Sequence, residues 1–142
     1  MFRRLDDMIL VAPQIDKDAV AAAKAEGVRL IINNRPEGES PDQTPGAEIE
    51  AQALAAGIAY VAIPVSPGGF SEAQVSAMVE ALDKAEGPVL AYCRSGTRST
   101  LLWALAQSSL GEHPAELSEK AAEAGYDLSP VAPLMDMLHA RA

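Results

Sequence analysis

The residues of this chain with the most reactive side chains are contiguous. Cys93 is its only cysteine, and Arg94, Ser95, Gly96, Thr97, Arg98 and Ser99 follow it without interruption. The run Val89 to Cys93 is apolar and β-prone. Leu101 to Ala106 is apolar all round, the pattern of a buried helix, and the helix is expected over Thr97 to Leu110. A strand, a short loop and a helix in that order aim backbone N–H groups into one concavity and add the positive end of a helix dipole. Gly96 permits the positive φ that such a turn needs. That environment favours the thiolate, the nucleophilic form of cysteine. Arg98 can grip an oxyanion through two N–H groups, and Ser99 or Thr100 can donate a hydrogen bond to the sulfur. Alternatively, Cys93 is a small buried hydrophobe ending a strand, and the two arginines are surface charges. Positive charge at a helix start opposes the dipole, however, so two arginines there suggest an awaited anion.

The elements that must position this loop are legible as alternating runs. Val28 to Ile32, Ile58 to Val65 and Val89 to Cys93 read as strands, each following a glycine (Gly27, Gly57, Gly87) placed to close a helix. Their starts lie about thirty residues apart, the length of a βαβ unit. Met8 to Val11 adds a further strand. Asp16 N-caps the first helix, with Ile15 and Val20 as a hydrophobic staple. Ser71 and Gln74 form a capping box, with Phe70 and Val75 as the staple, and Val75, Met78, Val79 and Leu82 make one apolar face. Glu48 stands at another helix start. Two more helices follow, about Pro114 to Ala124 and Val131 to Ala140; Leu134, Met135 and Leu138 are a packing stripe, and Trp103 is core.

The expected fold is therefore α/β, one domain over residues 1–142, with a mostly parallel central sheet flanked by helices on both faces. Loops after parallel strands emerge at one edge, where sites are built. Those loops are Asn33-Asn34-Arg35, Ser66-Pro67-Gly68-Gly69 and the cysteine loop. Asn34 and Arg35 join the candidate anion site, although Arg35 has the alternative of pairing with Glu37 or Glu39. Gly68-Gly69 either approaches a ligand closely or only makes the turn. The irregular stretch Arg35 to Gly46 is either functional or a solvated insertion.

With 11 basic and 20 acidic residues the net charge is −9, which argues against nucleic acid or an anionic membrane as partner. Aromatics at 4% are too few for a base-stacking platform. One cysteine excludes a disulfide framework, and with only two histidines, His113 and His139, a metal cage is not expected. No metal or organic cofactor is expected. No run reaches the roughly 20 apolar residues of a membrane span. With a lone thiol and no export signal, the reading is a cytoplasmic protein. The oligomeric state is not readable.

The stretch Val89 to Ser99 resembles the cysteine loop of the bacterial family called beta-lactamase hydrolase-like protein, phosphatase-like domain. The resemblance extends to Ile32-Asn33-Asn34-Arg35-Pro36-Glu37-Gly38-Glu39, Ile63-Pro64-Val65, Leu102-Trp103-Ala104 and Gly125-Tyr126. It implies a fold like that of the dual-specificity phosphatases, in which a cysteine attacks phosphorus and water releases the phosphate. It also implies Cys93 as nucleophile, Arg98 as phosphate clamp and Ser99 as thiolate partner, acting on a small anionic substrate or a phosphoprotein.

The chain departs from that pattern at three points. Four residues separate Cys93 from Arg98, one fewer than in those phosphatases and closer to the rhodanese sulfurtransferases. Tyr92 replaces the usual histidine. The loop Ser66 to Phe70, where an aspartic acid would be the general acid, holds no carboxylate, leaving Glu37, Glu39 or Asp42 as substitutes if the long loop folds over the site. The primary expectation is a cysteine-dependent phosphatase-like hydrolase. A rhodanese-like sulfurtransferase or persulfide carrier, and a non-catalytic anion-binding regulatory module, are the alternatives.

Overall fold

The computed structural model describes residues 2–142. Five strands form one sheet in the order β1-β2-β5-β3-β4. They are β1 (Arg3–Arg4), β2 (Ile9–Ala12), β3 (Leu30–Asn33), β4 (Ala59–Ala62) and β5 (Val89–Tyr92). The last four are parallel; β1, which the sequence reading missed, is a two-residue antiparallel edge. The register aligns the C-terminal residues of the parallel strands in one row, Ala12, Tyr92, Asn33 and Ala62. Whatever follows each strand therefore starts at the same height on the same edge.

Side chains alternate between two cores. Leu10, Ala12, Ile31, Leu90 and Tyr92 face α1 (Lys17–Ala25) and α2 (Gly46–Ala55). Ile9, Val11, Ile32, Val89 and Ala91 face α3 (Glu72–Lys84), α4 (Thr97–Ser109), α5 (Pro114–Glu123) and α6 (Ala132–Ala140). The short turn Ser129–Val131 precedes α6. As expected, α4 is the central helix: Ser99 to Ala106 are all buried, and it packs against α3, α5 and α6.

The local signals act as read. Asp16 accepts from Ala19 N at 2.9 Å and caps α1. Ser71 and Gln74 complete both halves of the capping box on α3. Gly27 and Gly57 have φ of +84° and +78° and end their helices, as a left-handed residue does. Gly87 does not: α3 ends at Lys84, and Gly87 instead packs closely under the Arg29 side chain. Gly69 sits in open space at a turn and approaches nothing closely. The strands are shorter than the apolar runs, since Val28, Ile58, Ile63 and Val65 are buried without belonging to the ladder.

A concavity of about 1030 Å3 lies between α3 and α6, beside Ile9 and Val89 at the starts of their strands. It is at the opposite edge from the cysteine loop. No helix among the described residues is long and apolar enough to cross a membrane.

Because the cysteine loop runs directly into α4, whose middle is buried throughout, the packing of α4 positions the site. Replacing Leu102, fully buried on α4, by alanine is expected to cost about 3 kcal/mol, read as a lowered urea midpoint.

Candidate active site

Cys93 directly follows β5, and alternation turns its side chain to the α4 face. It is fully buried. Gly96 has φ +90° and is the N-cap of α4, so the chain reverses there as the loop pattern requires. Its N–H donates to Cys93 Sγ at 3.1 Å. Arg94, Ser95 and Thr97 form the exposed rim, and Ser95 Oγ donates to Thr97 Oγ1 at 3.0 Å. The loop is tied to its neighbours by backbone bonds: Cys93 N donates to Ala12 O and Gln14 N to Arg94 O.

The expectation for Ser99 and Thr100 is overturned. Thr100 Oγ1 donates to Gly96 O at 2.8 Å, back into its own helix. Ser99 Oγ is buried with no hydrogen-bond partner. Neither hydroxyl reaches the sulfur; the donor toward it is the backbone of Gly96. Trp103, one turn further along α4, likewise buries an unpartnered Nε1.

Arg98 does not offer its fork to an incoming anion. Nη1 donates to Glu39 Oε2 at 2.7 Å and to Val65 O at 2.6 Å, and Nη2 donates to Glu39 Oε1 at 2.8 Å. Glu39 Oε1 also accepts from Arg35 Nε at 3.0 Å. Arg35 is buried, with Nη1 on Gln14 Oε1 and Nη2 on Ser40 Oγ. Asn34 is buried too: Nδ2 donates to Ile63 O at 2.9 Å, while its Oδ1 is unpartnered. Asn34 and Arg35 thus lie beneath the loop and brace it, rather than lining an open anion site. Gln14, Gln43 and Tyr126 also hold the loop or its cover and were missed. The end of β2 shares the edge with β5, and that alignment is the signal that would have found Gln14.

The stretch from Arg35 to Gly46 is therefore no solvated insertion. Glu39 N donates to Gln43 Oε1 at 2.8 Å, and Gln43 Nε2 donates to Pro36 O. Glu37 Oε1 accepts from Gly46 N at 2.9 Å and caps α2, whose N-cap Pro45 has no side chain able to do so. On the other face of the sheet, Asn33 Nδ2 donates to Tyr60 Oη at 3.0 Å. Tyr92 buries its hydroxyl nearby, and burial pushes it far above the ordinary tyrosine range. It points away from the cysteine and cannot take a histidine's place beside the sulfur.

The two guanidiniums remove Glu39 as a general acid. The hydrogen bond from Arg98, reinforced by Arg35 and opposed by burial, holds its carboxyl at about 2, below the ordinary 4.5. Arg98 is pushed further up by the same bond, with the Cys93 sulfur adding to the effect. Asp42 is exposed and lowered chiefly by the Ser40 hydroxyl, so it too is ionised near neutrality. Glu37 is committed to α2. None of the three substitutes is a proton donor placed over the loop.

Residues 1–110 match the family model for beta-lactamase hydrolase-like protein, phosphatase-like domain. The chain belongs to that family. A beta-lactamase hydrolase-like protein of Agrobacterium fabrum is 33% identical over 126 residues, covering 88% of this chain but 29% of the relative. The chain thus spans under a third of the length of the curated relatives it matches. A Neisseria meningitidis crystal structure assigned as a phosphatase is 31% identical, with a TM-score of 0.85 over 96% of each chain. PTPMT1 has a TM-score of 0.75 over 99% of this chain and 98% of its own, at 19% identity, which shows the fold. The phosphatase-like family and the dual-specificity-phosphatase-like fold agree with the resemblance read from the cysteine loop.

Because Glu39 titrates lower in the folded chain than in the unfolded one, its contribution is fully present above about pH 4.5 and is lost as pH falls through about 2. Glu39→Gln leaves two largely buried guanidiniums without their carboxylate and is expected to cost about 3 kcal/mol at neutral pH. Urea midpoints of wild type and variant should differ at pH 7 and converge between pH 4.5 and 2. An unchanging gap across that range would show that the pair contributes no linkage.

Proposed function

We propose that this domain is a cysteine-dependent hydrolase of small phosphoesters whose leaving groups are already good. The observation that carries the reading is Cys93 at the end of the central strand, under a loop whose Gly96 N–H points at Sγ and which opens into the first turn of α4. The family and fold support phosphoryl chemistry at this position.

The thiolate of Cys93 attacks phosphorus, an S–P bond forms, and the P–O bond to the leaving group breaks. The leaving oxygen departs with the electron pair and takes its proton from solvent. Water then attacks the phosphocysteine; the S–P bond breaks, the thiolate returns and inorganic phosphate leaves. Loop amides and the dipole of α4 stabilise the equatorial oxygens. Arg98 supplies fixed positive charge from the edge not taken by Glu39, and Arg94 on the rim supplies the mobile one. Without a general acid, the first step depends on the leaving group alone.

Sγ is fully buried, so catalysis requires the cover to move. Glu39 is where the segment Arg35 to Gly46 holds Arg98. Release of that grip by a competing anion is the simplest route to the sulfur.

A second reading is favoured by the four-residue spacing and the missing acid. Sulfur transfer from thiosulfate to Cys93 forms an S–S bond and expels sulfite, which needs no proton on departure.

Hydrolysis of 4-nitrophenyl phosphate should fall about a thousandfold or more in Cys93→Ser. Across a series of aryl phosphates, kcat/KM should drop steeply as the leaving group becomes more basic, because nothing protonates it. Activity surviving in Cys93→Ser overturns the thiolate mechanism. A stable extra sulfur on Cys93 after thiosulfate, with no phosphatase activity, transfers the assignment to sulfur chemistry; anion binding with neither activity makes the domain a binding module.

A further inference from the structure

Beside the cysteine loop lies a cleft of about 280 Å3 lined by Arg3, Pro13, Ser95, Gly125 and Tyr126. Its walls come from three separate parts of the chain, and each is pinned. Tyr126 Oη donates to Ser95 O at 3.2 Å, which fastens the ring to the rim of the loop. Arg3 Nη1 donates to Ala124 O at 2.8 Å, and the guanidinium lies 5.9 Å from the centre of the Tyr126 ring. Glycine suits both neighbours: a side chain at Gly96 would collide with the Tyr126 hydroxyl, and Gly125 has φ of +93°, with Arg3 Nη1 packed over its Cα.

The chemistry of the walls is selective. Tyr126 and Pro13 present flat apolar surfaces suited to a planar group. Arg3 is exposed and forms no ion pair among the described residues, although the chain carries nine more acids than bases. One of its five N–H groups is committed to Ala124; the others are free to donate. None of the five lining residues is acidic. The volume lies just below the roughly 300 Å3 at which drug-sized ligand sites begin, which suits one ring and a small acid group rather than a larger molecule. Burial raises Tyr126, Arg3 opposes the shift and the Cys93 sulfur adds to it, so the cleft is within electrostatic reach of the sulfur.

We propose that this cleft is a substrate subsite that takes a planar group bearing its own negative charge, carried by the molecule whose phosphate enters the cysteine loop. The proposal rests on the phosphoester reading above and names the substrate class: aryl phosphates with a second acidic group on the ring. The phosphate is held by the loop, the ring lies against Tyr126 and the second anion meets Arg3.

Binding to Cys93→Ser protein, which cannot turn a substrate over, separates the two claims. Inorganic phosphate, phenyl phosphate and 4-carboxyphenyl phosphate are titrated calorimetrically. The carboxylated compound should bind about tenfold tighter than phenyl phosphate, one charge-assisted hydrogen bond's worth. Adding Arg3→Met should abolish that ratio, and Arg3→Lys should restore part of it. If phosphate and both aryl phosphates bind but the ratio is one, or survives Arg3→Met, the subsite is overturned while the phosphoester reading stands. If none of the three compounds binds, the phosphoester reading fails and the subsite with it.

Discussion

A carboxylate shared by two guanidiniums cannot leave without stranding charge. Glu39 and Arg98 are each about 15% exposed in their side chains and Arg35 only 4%. At such depth an unpaired ion costs far more than a surface one. Arg98 lies in the first turn of α4, and Arg35 and Glu39 both belong to the long connection between β3 and α2. The Arg98 bond to Val65 O brings in the chain after β4. Glu39 and Arg98 together thus tie the connections that leave β3, β4 and β5 into a single edge. The loop amides keep their aim because everything around Arg98 is held.

The same contact sets the site's chemistry. A guanidinium whose fork already holds a carboxylate meets a second anion by another edge, or exchanges one for the other. The first route leaves Arg98 a fixed source of positive charge. The second makes the substrate compete with an internal anion at a very high effective concentration. Full burial of Cys93 favours some movement in either case. Glu39 is kept ionised by its two partners, so the acidic group that reaches Arg98 is poorly able to give up a proton.

Much of the fold was legible because its signals are local. Asp16, Ser71 and Gln74 make their caps with backbone three residues away, and Gly27 and Gly57 act within their own turns. The burial of α4 was legible because no polar stripe interrupts it. Gly96 was legible as the turn of the cysteine loop. What failed depended on partners distant in sequence. Whether Glu39 meets Arg98, fifty-nine residues away, follows from sheet order and register, not from either neighbourhood. Ser99 sits at the right spacing for a sulfur donor, yet the helix turns its hydroxyl to a place with no partner. Gly87 looked like a helix end and is instead a point of close approach to Arg29. β1 was missed because two charged residues on an edge carry no apolar pattern.

Family and fold make the domain phosphatase-like, and the local departures bear on the kind of reaction proposed for its cysteine loop. A shorter loop brings fewer amides to an oxyanion than its longer counterparts do, and no carboxylic acid stands ready for the departing atom. Both deficits weigh most on reactions that expel a strongly basic oxygen, where a developing charge must be neutralised as it forms. They weigh least where the leaving atom is stable as an anion, as in an aryl phosphate or a sulfane donor. The selectivity of this site therefore lies less in how tightly it grips the central oxyanion than in what else the substrate carries. Groups outside the loop can add that recognition, and of the walls that adjoin it, the one formed by Tyr126 packs on Gly96, the glycine that shapes the turn.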